Sequence, residues 1–193
     1  MDETETRVRD ELAGVIGVLE DLLGRRSRWN GILQLSPERS IRGKMQWDGM
    51  VLLRADLAQE DVRWRTLIRK SLHTFSVGST PVAYADMEGW GEGVVEQLQR
   101  LLRPRVLQSL EVTVSETVFR AVEEDHPYNK YVAAFERLRV SLGKPEEAFY
   151  THLLSVPHGQ RANDVIAQGQ SLPREDFLSF RRVFSVSFSQ LRG

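Results

Sequence analysis

Apolar residues recur at the spacing of an α-helix over most of the chain. The first such stretch runs from about Glu5 to Leu23 and presents one apolar face, with Gly24 as its expected end. Pro104 is expected to stop a later helix, because proline disrupts a helix interior. Further segments with the helical period lie at about 60–75, 94–103, 115–124, 131–142, 145–154 and 173–188. The pattern predicts a chain made mainly of amphipathic helices.

The segment between the first two helices has a different pattern. Ile32, Leu33 and Leu35 form a short strand candidate, and the stretch from Lys44 to Leu57 is typical of a longer strand with a turn or bulge at Gly49. The sequence therefore predicts an α+β fold, a single helix-rich domain over 1–193 with a small mixed sheet near its start. Its expected parts are an N-terminal helix (1–28), the small sheet (29–58), two helices (59–103) and a helical C-terminal part (104–193).

Composition narrows the classes of function. The 193 residues include 26 basic and 27 acidic ones, so the net charge of −1 gives no support for a general nucleic-acid or polybasic membrane surface. The absence of cysteine excludes disulfides, thiol catalysis and cysteine-ligated metals. The acidic start, Met-Asp-Glu-Thr-Glu-Thr, and the lack of a long apolar run predict a cytoplasmic protein with no membrane segment.

Three consecutive segments carry the pattern with most chemical content. A predicted strand from Gly49 to Ala58 precedes a helix containing Arg69-Lys70-Ser71-Leu72-His73, and a later helix contains Glu92 and Glu96, four residues apart. This arrangement resembles the zincin metallopeptidases. In that family the helix carries HExxH, in which two histidines one turn apart bind zinc and the glutamate is the general base. In the gluzincin subclass, a glutamate of the next helix is the third ligand, and an acid four residues later buttresses a ligand histidine.

The resemblance implies a role for each matching position. His73 corresponds to the second ligand histidine, Glu92 to the third ligand and Glu96 to the buttressing acid. Arg69 stands at the position of the first histidine, and Lys70 at that of the general base.

The same resemblance implies where a substrate would lie. The strand before the motif helix corresponds to the edge strand that pairs with an extended peptide. The implied substrate-binding residues are Leu52, Leu53 and Trp90, and the oxyanion candidates are His126, Tyr128 and Tyr131.

The departures from the family motif decide the expected activity. Arginine is cationic at any working pH and has no lone pair for zinc, and Lys70 beside Arg69 is a poor base. His73 and Glu92 alone supply two ligands where catalytic zinc takes three. We therefore expect no cofactor and no peptidase activity from the chain as it stands, with zinc binding only if Arg69 and Lys70 are replaced by His and Glu. An Arg69–Glu96 pair, and a Lys70–Glu92 pair beside it, are expected in place of the metal.

Several alternatives remain open on the sequence alone. His73 also fits a structural histidine, Glu92 and Glu96 fit acids favoured by the helix dipole, and the oxyanion candidates fit a loop-packing role. The first functional hypothesis is an inactive zincin-like protein, of natural or engineered origin. It would bind a peptide or protein in the cleft that holds the substrate in active zincins. The second is a helical interaction or regulatory module with no protease ancestry. A nucleic-acid partner using Arg25–Arg28 is not expected, and the oligomeric state is left open.

Overall fold

The α+β prediction is confirmed by a computed structural model, which is helix-rich with a small three-stranded mixed sheet early in the chain. It describes residues 3–38, 43–46, 48–78 and 85–192. Two compact units are present, one made of Met1–Phe75 and Gln99–Glu124, the other of Ser76–Leu98 and Asp125–Gly193. Each unit combines two separate stretches of chain, and the single domain expected over 1–193 stays a prediction.

The first unit contains the predicted N-terminal helix. Helix α1 spans Glu3–Leu23, and Gly24 follows it with a φ of 64°, the left-handed geometry that ends many helices. Its apolar face packs on helix α2, Arg63–Thr74, and on the sheet. The buried residues of the α1 face are Val8, Leu12, Val15, Ile16 and Leu19.

The sheet consists of three short strands, β1 (Leu33–Ser36), β2 (Gly43–Met45) and β3 (Val51–Arg54). Strand β3 lies in the centre, parallel to β1 and antiparallel to β2. The prediction that the strand before the motif helix is an edge strand is therefore wrong. A turn at Gly49, whose φ is 91°, brings β2 alongside β3 on one side, and β1 occupies the other.

The strand predicted to reach Leu57 ends earlier, at Arg54. Residues Ala55–Gln59 form a 3-10 helix instead. Asp56 explains the change, because its Oδ1 atom accepts hydrogen bonds from the Leu57 backbone N–H and from Arg54 Nε. A side chain that bonds its neighbouring backbone in this way competes with the hydrogen bonds of a sheet.

Helix α3 runs from Glu88 to Ser109 and passes through Pro104, contrary to the expected stop. The boundary between the two units falls inside this helix, after Leu98. A proline removes one helical hydrogen bond, but Leu102 and Val106 are buried on either side of it. Burial of those side chains favours continuation of the helix. Helix α4, Glu116–Glu123, completes the first unit, and the Ser115 hydroxyl caps its start.

Among its described residues, the second unit holds the first half of α3 and four further helices: α5 (Asn129–Ser141), α6 (Glu146–Ser155), α7 (Arg161–Gln170) and α8 (Arg174–Leu191). Helices α5 and α8 pack against each other. Aromatic residues fill the interior between the helices, among them Trp90, Phe135, Phe149, Tyr150 and Phe180. No helix within the described ranges is both long and apolar enough to cross a membrane.

A fully buried arginine ties the start of α7 to the rest of this unit. The guanidinium of Arg161 donates hydrogen bonds to the carbonyl oxygens of Trp90 and Val156 and to the hydroxyl of Ser76. His158 lies beside it, with Nε2 2.7 Å from the Met87 carbonyl oxygen and Nδ1 3.4 Å from an Arg161 nitrogen. These bonds fix α7, a helix that the sequence patterns above do not predict.

Candidate functional site

A groove lined by four phenylalanines lies between α7 and α8. The connection is only three residues long, and Leu172 N–H donates to the Gly169 carbonyl oxygen within it. Pro173 is the N-cap of α8 and immediately precedes its first helical residue, Arg174. The two helices therefore form a tight helical hairpin.

A row of four phenylalanines runs along α8 on the side that faces α7. Their spacing of three, four and four residues places them on one face of the helix. Successive ring centroids are 6.5, 5.8 and 5.4 Å apart. Phe180 is buried, whereas the other three rings are partly exposed. The row is formed by Phe177, Phe180, Phe184 and Phe188.

Gly169 allows α7 to approach this row closely. A Cβ atom at that position would lie 2.1 Å from Cε1 of Phe180, which is far inside van der Waals contact. The absence of a side chain at Gly169 thus leaves room for the Phe180 ring, which forms the floor of the space between the two helices. On the other side of α7, His152 Nε2 lies 2.9 Å from the Asp164 carboxylate and links α6 to α7.

The space above this floor is a groove of about 480 Å3, which we call the phenylalanine groove. Helix α7 supplies one wall and the phenylalanine row the other. The lining is mixed, because Gln170, Arg181 and Ser185 contribute polar groups beside the apolar side chains. Its lining consists of Ile166, Gln170, Phe177, Phe180, Arg181, Phe184, Ser185 and Phe188.

The charge beside the groove is cationic. The Arg181 guanidinium lies 5.9 Å from the centroid of the Phe177 ring, and that of Arg192 lies 5.5 Å from Phe188. At about 100° per residue, Arg174, Arg181 and Arg192 fall within about 20° of one another around α8. None of the three has a carboxylate partner within the part of the chain that the structure describes. We call these three residues the arginine stripe.

The sequence motifs described above do not include this site, although the sequence contains a signal for it. The helical tail predicted over 173–188 carries phenylalanines at helical spacing, which indicates one aromatic face. Helix α7 carries a similar signal, since Ala162, Val165, Ile166 and Gly169 follow the helical period. Two short amphipathic segments separated by a proline turn indicate a helical hairpin.

The zincin-like positions of the first unit lie on α2, as expected. Arg69 and Lys70 are buried, and His73 is half-buried one turn after Arg69. The methylene groups of Lys70 pack over Gly43 of β2, where an added Cβ would lie 3.3 Å from Lys70 Cε. Together with Arg65 they make three buried cations on one helix, which is uncommon, and each takes part in a polar or electrostatic interaction.

Glu92 and Glu96 lie in the second unit and are 3% and 0% exposed. Helix α3 begins at Glu88, so these acids belong to its second and third turns. The helix dipole favours acids only in the first turn. The alternative that Glu92 and Glu96 are present because of the helix dipole therefore accounts for neither residue. The Arg69–Glu96 and Lys70–Glu92 pairs stay predictions.

The implied substrate-binding positions are largely enclosed. Leu53 and Trp90 have no exposed surface, and their role in substrate binding stays a prediction. Leu52 is half-buried, but the backbone of its strand already pairs with β1 and β2. Trp90 packs against Phe135, with ring centroids 5.2 Å apart, which is a core contact of the second unit.

The oxyanion candidates form an aromatic cluster at the start of α5. The rings of His126 and Tyr128 are 4.9 Å apart, and those of Tyr128 and Tyr131 are 6.1 Å apart. Tyr131 is buried against Gly89 and Gly93 of α3, where a Cβ would come within 3.0 Å of it. These contacts fit the packing role that the sequence left open.

No cluster of three or more potential metal ligands is present among the described residues. Comparison with known proteins adds no assignment, because no protein-family model, curated protein or solved structure matches the chain. The phenylalanine groove is therefore the candidate site that rests on geometry alone, and the α2 positions are the candidate that rests on resemblance.

Proposed function

We propose that the chain is a non-catalytic binding protein that receives an apolar segment of another protein in the phenylalanine groove. The observation that carries the proposal is the partial exposure of three aligned phenylalanine rings beside a groove of about 480 Å3. Concave apolar surface rimmed by polar groups is typical of binding sites, and exposed aromatic side chains supply most of the energy at such interfaces.

The groove is suited to binding rather than to chemistry. A hydrolytic site needs a nucleophile with an adjacent base, or a metal with its ligands. The described residues that line the groove include Ser185 as a hydroxyl, but none of them is a histidine, aspartate, glutamate or lysine. Recognition of an apolar segment requires no such group.

The binding mode differs from the strand pairing that the zincin resemblance implies. Because β3 has a neighbour on each side, its backbone groups are occupied by β1 and β2. A groove between two helices instead recognises side chains, as in helix-in-groove complexes.

A displayed library of amphipathic helical peptides tests the proposal when it is selected on the full chain. Peptides recovered on the chain are expected to lose at least about tenfold in affinity to Phe184→Ser, since a buried aromatic anchor is worth more than about 1.4 kcal/mol. Isothermal titration calorimetry measures the change. A library that yields no binder contradicts the proposal.

Val186→Ser is the matched control for this experiment. Val186 lies on the same helix and is 59% exposed, but it does not line the groove. It is expected to leave peptide affinity unchanged within about twofold, as surface substitutions away from an interface do. If both variants weaken binding equally, the recovered peptides bind elsewhere and the groove is not the site.

A degenerate zincin scaffold is a second candidate, favoured by the burial of Glu92 and Glu96 deep within α3. Under this proposal the protein is a peptidase relative that lacks activity, because Arg69 and Lys70 replace the first ligand and the base. It binds no zinc as it stands, and its surviving role is again to bind a peptide or protein.

Metal content tests this second candidate directly. The double variant Arg69→His/Lys70→Glu is expected to hold about one zinc per chain, since it restores three protein ligands. The chain as given and the control Arg181→His/Arg182→Glu, which places the same residue types on α8, are expected to hold none. Mass spectrometry under native conditions counts the metal. A folded double variant without zinc overturns the zincin proposal and leaves the groove proposal intact.

A further inference from the structure

We infer that the partner segment of the phenylalanine groove is an acidic amphipathic helix, with apolar side chains in the groove and Glu or Asp along the arginine stripe. The inference rests on the proposed function and adds the chemistry of the partner to it. Three independent features carry it: the groove walls, the length of the phenylalanine row and the charge beside it.

The walls favour a helical partner over an extended one. Both α7 and α8 use their backbone groups in their own helical hydrogen bonds, so neither offers a row of free N–H and C=O groups. An extended peptide would leave its backbone unpaired against the phenylalanine row, which is unfavourable. A helix satisfies its own backbone and presents side chains alone.

The length of the row sets the size of the partner's apolar face. Phe177 and Phe188 are eleven residues apart, which corresponds to about 16 Å at a rise of 1.5 Å per residue. A helical face of about three turns, with apolar residues at i, i+4, i+7 and i+11, matches that length.

The positive charge of the arginine stripe determines which charge the flank of the partner helix should carry. Arg174, Arg181 and Arg192 form one stripe next to the phenylalanines, and all three are exposed. The acids of α8, Glu175 and Asp176, are about 100° and 200° away from Arg174 around the helix, so they leave the stripe cationic. An acidic flank complements such a stripe, whereas a basic flank is repelled by it.

The concave shape argues for a peptide over an anionic membrane surface. Phe180 lies at the floor of the groove and is only 1% exposed, so the most central ring is recessed. Side chains that enter a bilayer must project from the surface, whereas a recessed floor is filled by side chains of a partner helix.

Synthetic peptides of about four helical turns test the inference. The first carries leucines on one face and glutamates along one flank, the second replaces the glutamates with lysines, and the third keeps the glutamates but scatters the leucines. Fluorescence anisotropy with the full chain is expected to show the first peptide binding about tenfold more tightly than the second at low salt, with the ratio shrinking as salt screens the charges. The third peptide is expected not to bind.

Arg181→Glu and Arg182→Glu form a matched pair that tests how far the arginine stripe contributes to the preference for an acidic peptide. Both residues are exposed on α8, but only Arg181 lines the groove. Arg181→Glu is expected to lower the preference for the acidic peptide about tenfold, and Arg182→Glu to change it less than about twofold. Circular dichroism and the unfolding midpoint confirm that each variant is folded.

The outcomes separate the inference from the proposed function. Equal affinity for the acidic and basic peptides overturns the acidic partner, and the groove proposal survives if Phe184→Ser still weakens both. Failure of both leucine-faced peptides to bind overturns the inference and counts against the groove proposal as well. Two further results overturn the acidic helix as the partner. The first is binding to phosphatidylserine vesicles that is abolished by Arg181→Glu, when no peptide binds. The second is a concentration-dependent dimer that is disrupted by Phe184→Ser.

Discussion

At the scale of single residues, a carboxylate joins three helices of the first unit. Oε1 of Glu123 on α4 accepts hydrogen bonds from Arg103 and Gln99 of α3, each at 2.6 Å, and from Arg65 of α2 at 3.2 Å. Burial alone would raise the pKa of Glu123, but the hydrogen bond and charge of Arg103, with help from Gln99 and Arg65, outweigh burial and lower that pKa. The ionised carboxylate is therefore the form that the folded chain stabilises.

Replacement of this carboxylate by an amide is expected to destabilise the chain. Glu123→Gln leaves Arg103 and Arg65, both about 5% exposed, with a neutral partner, and loss of one partner of a buried ion pair costs about 3 kcal/mol. Glu116→Gln is the control, because Glu116 also contacts Arg103, at 3.1 Å, but its side chain is 60% exposed. That change is expected to cost less than about 1 kcal/mol. Urea unfolding measures both, and equal effects would contradict the special role of Glu123.

At the scale of elements, the approach of α7 to α8 depends on a missing side chain. Gly169→Ala forces Phe180 or the helix to move, because the new Cβ would overlap the Phe180 ring. Overpacking of this kind costs about 1–3 kcal/mol. The same displacement is expected to weaken peptide binding in the phenylalanine groove, since Phe180 forms its floor. Thermal unfolding and peptide titration measure the two effects.

Gly17→Ala is the same substitution at another helical position, and it is expected to raise the stability of the chain rather than lower it. Gly17 is an exposed position inside α1 with no atom within 4 Å of an added Cβ. Alanine there is expected to stabilise the chain by about 0.5–1 kcal/mol, since it favours the helical backbone. If both glycine variants move the unfolding midpoint in the same direction, the clash with Phe180 is not the dominant effect at Gly169.

Helical elements were predictable from the sequence because their apolar period depends on burial of one face. Helix α1 illustrates this, since its predicted apolar face supplies five core residues and its predicted end at Gly24 coincides with the positive φ. Short strands were less predictable. The position of β3 at the centre of the sheet depends on a parallel pairing with β1, and no local pattern in β3 encodes that partner.

The candidate site was harder to predict than the elements. The sequence motifs point to residues that perform chemistry, and the helical tail predicted over 173–188 carries no such motif. Their partial exposure depends on where α7 ends and on Gly169, and both are properties of the packed hairpin. For the zincin-like positions, the apolar period and the motif spacing predict the helices, but they do not predict that Glu92 is buried in the second turn of α3.

At the scale of the whole molecule, two groups make stability depend on pH in different ranges. His158 is buried beside Arg161, and burial first, then the positive charge of Arg161, lowers the pKa of His158 from 6.5 to about 4. The folded chain therefore keeps His158 neutral in a range where the unfolded chain protonates it. Glu123 behaves in the opposite sense, because its lowered pKa keeps it ionised below the ordinary value of 4.5.

The sign of each contribution follows from which state binds more protons. Below about pH 6.5 the unfolded chain gains a proton at His158 that the folded chain does not take until about pH 4, so the free energy of unfolding falls as the pH falls. The stability from Glu123 is fully present above pH 4.5 and is lost as the pH falls through its lowered value. Acid therefore weakens the two units in succession, first through His158 and then through Glu123.

Unfolding in urea at several pH values separates these two ranges. Between about pH 7 and pH 5 the chain is expected to lose about 2 kcal/mol, because each pH unit across a titrating proton is worth about 1.36 kcal/mol. His158→Gln removes the titrating group while an amide N–H still reaches the Met87 carbonyl, so its stability is expected to stay nearly level over that range. Glu123→Gln is expected to run parallel to the parent chain above about pH 5 and to flatten below it. A His158→Gln chain that loses stability as steeply as the parent would place the acid-sensitive group elsewhere in the molecule.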